Sequence, residues 1–241
     1  MRKAVPPSPD FTTILNARLN AIAKLDPGEA QHIARLASRS RERYEPNAML
    51  PAASAWRSPH VIATGWVGLA HQMKDGGRQI VQLLLPGDVV GLGPQPMPGL
   101  VAFALTSVAT LPLPEIHNAP ADDRTGLAAR RDAFLAEQCF LHLNHIVRLG
   151  RSSAYCRVAN LLAELHWRLA QRGLATSSSF VLALTQEHIG DTLGLSYVHV
   201  NRTLQQLRRE KLIWHEPGRI VHLNTQDVIA AGGFTPPVQL R

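Results

Sequence analysis

Asn201, Arg202 and Gln205 fall within about one helical turn in the stretch LTQEHIGDTLGLSYVHVNRTLQQLRREKLIW, Leu184 to Trp214. An arginine fork bonds guanine O6 and N7 together, and side-chain amides match the donor and acceptor edges of bases in the major groove. A helix that only packs would show Glu and Lys on that face instead. His188 and His199 sit on different predicted helices with no third ligand nearby, so this stretch does not read as a metal site. Elsewhere, His142 and His145 are spaced i, i+3, and a haem or metal ion would take them with His71 or His117. Otherwise His142 packs across a helix seam and His145 is solvated. Cys139 reads as a small hydrophobe of that seam, with a redox switch as the alternative. No G-x-S-x-G, H-E-x-x-H, G-x-G-x-x-G or Walker pattern and no paired carboxylates occur, so neither catalysis nor a phosphate cradle is expected. Asp88 and Glu115 read as turn or surface residues, and Trp56 and Trp66 as packing residues.

Two helices must position the Arg and amide groups. Val200, Leu204 and Leu207 follow i, i+4, i+7, so the helix over 197–210 buries that face and presents Tyr197, Val198, Asn201, Arg202 and Gln205 on another. Ser196 is placed to cap it. Thr185 caps the helix before it, Ile189 and Leu193 supply that helix's apolar face, and Gly194 takes the positive φ of the turn. A two-helix unit with a short glycine turn is a helix-turn-helix. LIWHE and RIVHLN, joined by Pro217-Gly218, add two short strands as a wing.

The 241 residues carry a net charge of +7, unevenly placed. Residues 124–172 hold eight Lys/Arg against three Asp/Glu, whereas 45–123 hold three against six. A basic surplus of this kind suits nucleic acid. Cys139 and Cys156 are too few for a secreted disulfide framework. MRKAVPPSPDFTTILNARLN shows no signal-peptide pattern, and no apolar run approaches the roughly 18 residues of a membrane helix, so a cytoplasmic protein with no membrane partner is expected.

Upstream, residues 11–37 read as helices, with Pro27 at a favourable first-turn position. Residues 41–114 alternate short apolar runs with Pro and Gly, and Asp75-Gly76 signals a hairpin, which together suggest an antiparallel roll. A helical pattern runs from about Thr125 to Gln171. Leu135, Cys139, His142, Ile146, Leu149 and Ser153 recur at spacings of four and three, the seam of a helix that packs on another. The register changes at Ser152-Ser153, where a bend or two abutting helices is expected. Gly173 stops the pattern, and ATSSS reads as a polar connector.

The segment LTQEHIGDTLGLSYVHVNRTLQQLRREKLIWHEPGRIVHL resembles the DNA-binding end of the Crp/Fnr transcription regulators. RVANLLAELHWRLAQRG resembles the helix leading into that end, the 135–149 seam resembles the family's dimer helix, and DGGRQIVQLLLPGDVVGL resembles its sensor roll. The resemblance covers residues 40–224. It implies an α+β chain: an N-terminal antiparallel β-roll with flanking helices over 1–124, a dimerisation helix over 125–153, and a winged helix-turn-helix over 154–241. It also implies a homodimer on a two-fold symmetric site in double-stranded DNA, with RNA polymerase as a further partner. Tyr197, Val198, Asn201 and Arg202 are then the base readers. Thr185, Gln186, Ser196, His199, Gln205 and Arg208 meet phosphate. An effector in the roll would act by changing the packing at 135–153.

The departures bear on specificity. Familiar members carry Arg and Glu where Tyr197 and Val198 stand. Arg202 still takes guanine, but Val198 cannot accept from cytosine, although a thymine methyl is within its chemistry. No Arg lies between Arg78 and Arg124, and His142 and Leu143 align with the family's pocket-facing polar pair. A buried cyclic phosphate would lack its cation, so cyclic AMP is not expected and no cofactor is assigned; the effector stays open. No cysteine precedes Cys139, which argues against an iron–sulfur sensor. Two alternatives remain. One is a haem- or metal-responsive sensor on the same scaffold; the other is an interaction module that has lost DNA binding.

Overall fold

A computed structural model describes residues 9–22, 27–50, 59–91, 99–113 and 127–237. Trp56, Glu115 and His117, named above, lie outside the described residues. The chain forms two compact units, one from Asp10 to Cys139 and one from Phe140 onward.

The first unit opens with α1 (Phe11–Ile22) and α2 (Pro27–Ala37). Asp10 starts α1: its carboxylate accepts the Thr13 amide at 3.0 Å and the Thr13 hydroxyl at 2.9 Å. Among the described residues seven strands follow: β1 (Glu42–Tyr44), β2 (His60–Thr64), β3 (Val67–Gln72), β4 (Arg78–Leu84), β5 (Val89–Val90), β6 (Leu100–Ala104) and β7 (Val108–Pro112). They build two antiparallel sheets, ordered β1-β7-β2-β5 and β4-β3-β6, the roll that the Pro/Gly punctuation predicts. Gly76, at φ +85°, makes the β3–β4 turn. Alternation along β2 splits the core into two layers. Ile62 packs with Val67, Leu69, Leu84, Ala102 and Val108. Its neighbours Val61 and Ala63 face the other way, onto Phe11, Leu15, Leu111, Leu113 and Phe134. Trp66 is buried, as expected of a roll packing residue.

Asp88 stands at a turn, as expected, its amide donating to the Leu85 carbonyl at 2.9 Å, but it corrects the surface alternative because it is fully buried. One of its oxygens accepts the Leu85 amide at 2.9 Å, and the other lies 3.4 Å from the Arg18 guanidinium. Arg18 is itself buried, and it reaches α3 (Leu127–Arg151) through a two-pronged bond to Glu137 at 2.8 and 2.9 Å. Nothing in the spacing of these residues signals a triad drawn from α1, a strand turn and α3. Only the tertiary fold assembles it.

In the second unit α3 ends at Arg151, and α4 (Ala154–Ala170) begins after Ser152-Ser153, where the register changes. Ser153 caps α4, its Oγ accepting the Cys156 amide at 3.2 Å. A buried polar network ties the last turns of α3 to α4. Arg148 bonds Glu164 directly and donates to Asn160 at 2.8 Å, and Asn144 donates to both Asn160 and Glu164 at 3.2 Å. Arg168 adds a second cation to Glu164 at 3.3 Å. Burial raises the Glu164 pKa, but the charges of Arg148 and Arg168 and the Arg148 hydrogen bond outweigh it and hold the carboxyl below its ordinary range.

The remaining elements are β8 (Ser179–Val181), α5 (Gln186–Leu193), α6 (Tyr197–Arg209), β9 (Ile213–Glu216), β10 (Ile220–Leu223) and α7 (Thr225–Gly232). The wing is a three-stranded antiparallel sheet, β8-β10-β9. β8 corrects the reading of ATSSS as a plain connector, since Ser179 begins a strand whose Phe180 is fully buried. On α7, Gly232 allows close approach to α4: a Cβ there would stand 2.4 Å from the Asn160 amide nitrogen. Asn160 uses that proximity to donate to the Gly232 carbonyl at 2.8 Å.

Candidate nucleic-acid interface

The adjoining helices α5 and α6 are fixed by local chemistry. Thr185 Oγ1 accepts the His188 amide at 3.1 Å and His188 Nδ1 accepts the Thr185 amide at 3.4 Å, a reciprocal cap on α5. Gly194 closes α5 at φ 61°. Ser196 caps α6 by accepting the His199 amide at 3.3 Å, and its hydroxyl also meets His199 Nδ1 at 3.0 Å. Val200, Leu204 and Leu207 are buried against the unit, as their spacing predicts.

The opposite face is open. Tyr197 is 60% exposed and Val198 53%, and Arg202 is exposed beside them. Asn201 is half-buried and already engaged: its Nδ2 donates to Gln186 Oε1 at 3.1 Å, and its Oδ1 accepts from Gln205 Nε2 at 2.8 Å. This amide chain pins α6 to α5 and holds three of the named side chains in fixed orientation. Arg208 is exposed, with its Nε donating to His215 Nδ1 on β9 at 3.1 Å. Burial, then the Arg208 charge, lowers the His215 pKa, so His215 stays neutral and serves as the acceptor. Thr185, Ser196 and His199 lie at the two helix starts, on exposed positions. A helix N-terminus offers unpaired amides to an anion.

Several supports of this surface escape sequence reasoning. Gly190 lies inside α5, and a Cβ there would meet the Leu195 carbonyl oxygen at 2.6 Å, so the tight turn into α6 needs glycine. A glycine four residues before Gly194 is the one available signal. Arg157 donates to the Ser152 carbonyl at 2.9 Å and to the Leu193 carbonyl at 3.0 Å, joining the start of α4 to the end of α5. Tyr155 bonds Glu210, the C-cap residue of α6. Neither pairing leaves a trace in local spacing.

The named seam residues lie on α3 except Ser153, which follows its end and caps α4 instead. Leu135, Cys139, His142 and Ile146 are exposed, and Leu149 is half-buried. Leu143 and Val147, which the seam omits, are exposed with them. Within the second unit, Leu143, Ile146 and Val147 leave apolar side chains exposed on α3. His145 corrects a second reading, because it is not solvated. Its Nε2 is buried with no hydrogen-bond partner. Burial, then the nearby Arg148, pushes its pKa from 6.5 down to about 4. Among the described residues, no three His, Cys, Asp or Glu side chains are grouped to hold a metal ion. Nor, among them, is any helix long and apolar enough to cross a membrane.

Residues 156–228 match the Crp-like helix-turn-helix domain. The transcriptional activatory protein AadR of Rhodopseudomonas palustris is 29% identical over 216 residues, covering 86% of this chain and 87% of that protein. The transcriptional activator protein FnrL of Cereibacter sphaeroides is 32% identical over 167 residues, 66% of each chain. The solved structure of FixK2 from Bradyrhizobium japonicum superposes with a TM-score of 0.69 at 27% identity, covering 81% of this chain and 98% of that one.

Proposed function

Because this chain belongs to the Crp/Fnr family of transcription regulators, we propose that its homodimer places two copies of α6 in successive major grooves of a two-fold symmetric site. The single observation that carries this reading is the division of α6. Val200, Leu204 and Leu207 are buried, while Tyr197, Val198 and Arg202 face solvent on a helix capped at both neighbouring starts. Arg202 bonds guanine, and Tyr197, Val198 and Asn201 meet the adjoining base edges. Thr185, Gln186, Ser196, His199, Gln205 and Arg208 position the phosphates, which supply affinity and salt dependence but no sequence choice.

The apolar side chains that α3 leaves exposed support the dimer, since Leu143, Ile146 and Val147 gain from mutual burial. The roll receives an effector other than cyclic AMP. This reading rests on the absence of any arginine between Arg78 and Arg124 to hold a buried phosphate. The regulator works in the cytoplasm and answers to RNA polymerase. Sequencing of DNA fragments retained by the purified protein tests the proposal. The expected outcome is one inverted repeat with half-sites about 34–36 Å apart. Retention of random sequence alone, or of single unpaired half-sites, would overturn it.

A further inference from the structure

We propose that Val198 detects the 5-methyl group of a pyrimidine in the major groove, so that each half-site carries thymine beneath it and 5-methylcytosine serves in thymine's place. This deepens the DNA-binding reading above and rests on it. Val198 is the second residue of α6 and is more than half exposed, whereas Val200, on the next turn of the chain's path, is fully buried. Its side chain therefore lies outside the buried core of the unit. Tyr197 extends the same patch.

The neighbouring groups favour a methyl over an amino group. The distinguishing major-groove feature of cytosine is its N4 donor, which calls for an acceptor, while thymine offers a methyl at C5. No carboxylate occurs on α6 between Tyr197 and Arg209. Two acceptors on this part of the helix are engaged: Ser196 Oγ takes the His199 amide, and Asn201 Oδ1 takes the Gln205 amide. Glu210 lies at the far end of the helix, bonded by Tyr155 and Gln206. A methyl thus finds an apolar partner where an amino group would find no carboxylate. Arg202 sits four residues on, so the two Cβ atoms lie about 5–6 Å apart on one face. With bases about 3.4 Å apart along a strand, the guanine read by Arg202 and the methyl read by Val198 fall one or two steps from each other.

Deoxyuridine pairs as thymidine does and lacks only the methyl. In fluorescence anisotropy on the selected site, replacing thymidine by deoxyuridine symmetrically, one position at a time, should weaken binding at one position near the guanine. Burial of one methyl sets the loss at about fourfold per half-site, or about tenfold to twentyfold for the symmetric pair. A cytosine·guanine pair at that position should weaken binding, and 5-methyldeoxycytidine should recover much of that loss. Val198→Ala, with an unchanged thermal midpoint, should bind the thymidine and deoxyuridine sites alike. Indifference to deoxyuridine at every thymine overturns the proposal, as does a deoxyuridine effect that persists in Val198→Ala. Both outcomes leave DNA binding intact. If no DNA is retained at all, the underlying reading falls as well, and that result is distinguishable from the other two.

Discussion

Arg202 is the side chain whose loss most directly separates recognition from attraction. It is exposed on the open face of α6, four residues beyond Val198. Deleting a guanine contact removes about 1–3 kcal/mol from binding to the specific site and little from random DNA, where the loss of one phosphate-range charge is spread over many contacts. Arg202→Ala should therefore lower affinity in a gel shift on the selected site by about tenfold to a hundredfold per half-site, a loss that multiplies over the two half-sites of the dimer, with little change on scrambled duplex. Equal losses on both would make Arg202 a phosphate contact. At this scale the sequence is most legible where chemistry is local. Thr185, Ser196 and Gly194 announce themselves because caps and positive-φ turns involve residues two or three apart. The burial of Asp88 and of His145 escaped for the same reason. Their burial depends on Arg18 and on α4, whose positions no nearby residue encodes.

At the scale of elements, the turn between α3 and α4 is tied as well as capped. Arg148, Asn144, Asn160, Glu164 and Arg168 form a buried set in which one carboxylate answers two guanidinium groups. Removing the Glu164 charge takes the buried counter-charge from Arg148, which costs about 3–5 kcal/mol. Glu164→Gln should lower the urea midpoint of the full chain accordingly, and should open α3–α4 amides to hydrogen exchange ahead of the roll. Loss of no more than a few tenths of a kcal/mol would show that solvent screens the network. The same place sets a pH dependence. His145 faces Arg148, Glu164 and His142, and its pKa is about 4 in the fold against an ordinary 6.5. The neutral form is the one that packs. On acidification the unfolded chain takes up the proton first, so stability is complete above about pH 6.5 and falls between there and about pH 4. His145→Leu should flatten the thermal midpoint over this window relative to the parent. A parent midpoint that holds steady or rises on acidification would contradict the assignment. None of this was readable in advance, because the i, i+3 spacing of His142 and His145 says which helix they share and not what the helix lies against.

For the molecule as a whole, the proposed dimer rests on the apolar side chains that α3 leaves exposed. Of the seam residues expected from spacings of four and three, Leu135, Cys139, His142 and Ile146 are exposed on α3 of the single chain. The seam's omission of Leu143 and Val147 shows that a heptad template is narrower than the surface that forms. Ile146 is 64% exposed in the single chain, so a charge placed there perturbs no core of its own subunit. Ile146→Glu should keep the helical circular-dichroism signal and thermal midpoint of the monomer. In a dimer it would set two carboxylates near a shared axis in an apolar contact, where unpaired charge is costly. Light scattering should then report half the parent mass. The effect on DNA follows from linkage: two half-sites bound by one dimer add their free energies, while separate monomers pay the loss of freedom twice. Specific affinity should fall by on the order of a hundredfold or more. The slope of log affinity against log salt should drop towards half, because each monomer neutralises only its own phosphates. A variant that stays dimeric would place the interface elsewhere on the chain. One that becomes monomeric yet binds the full inverted repeat with the parent's salt slope would show that α3 does not couple the two readers.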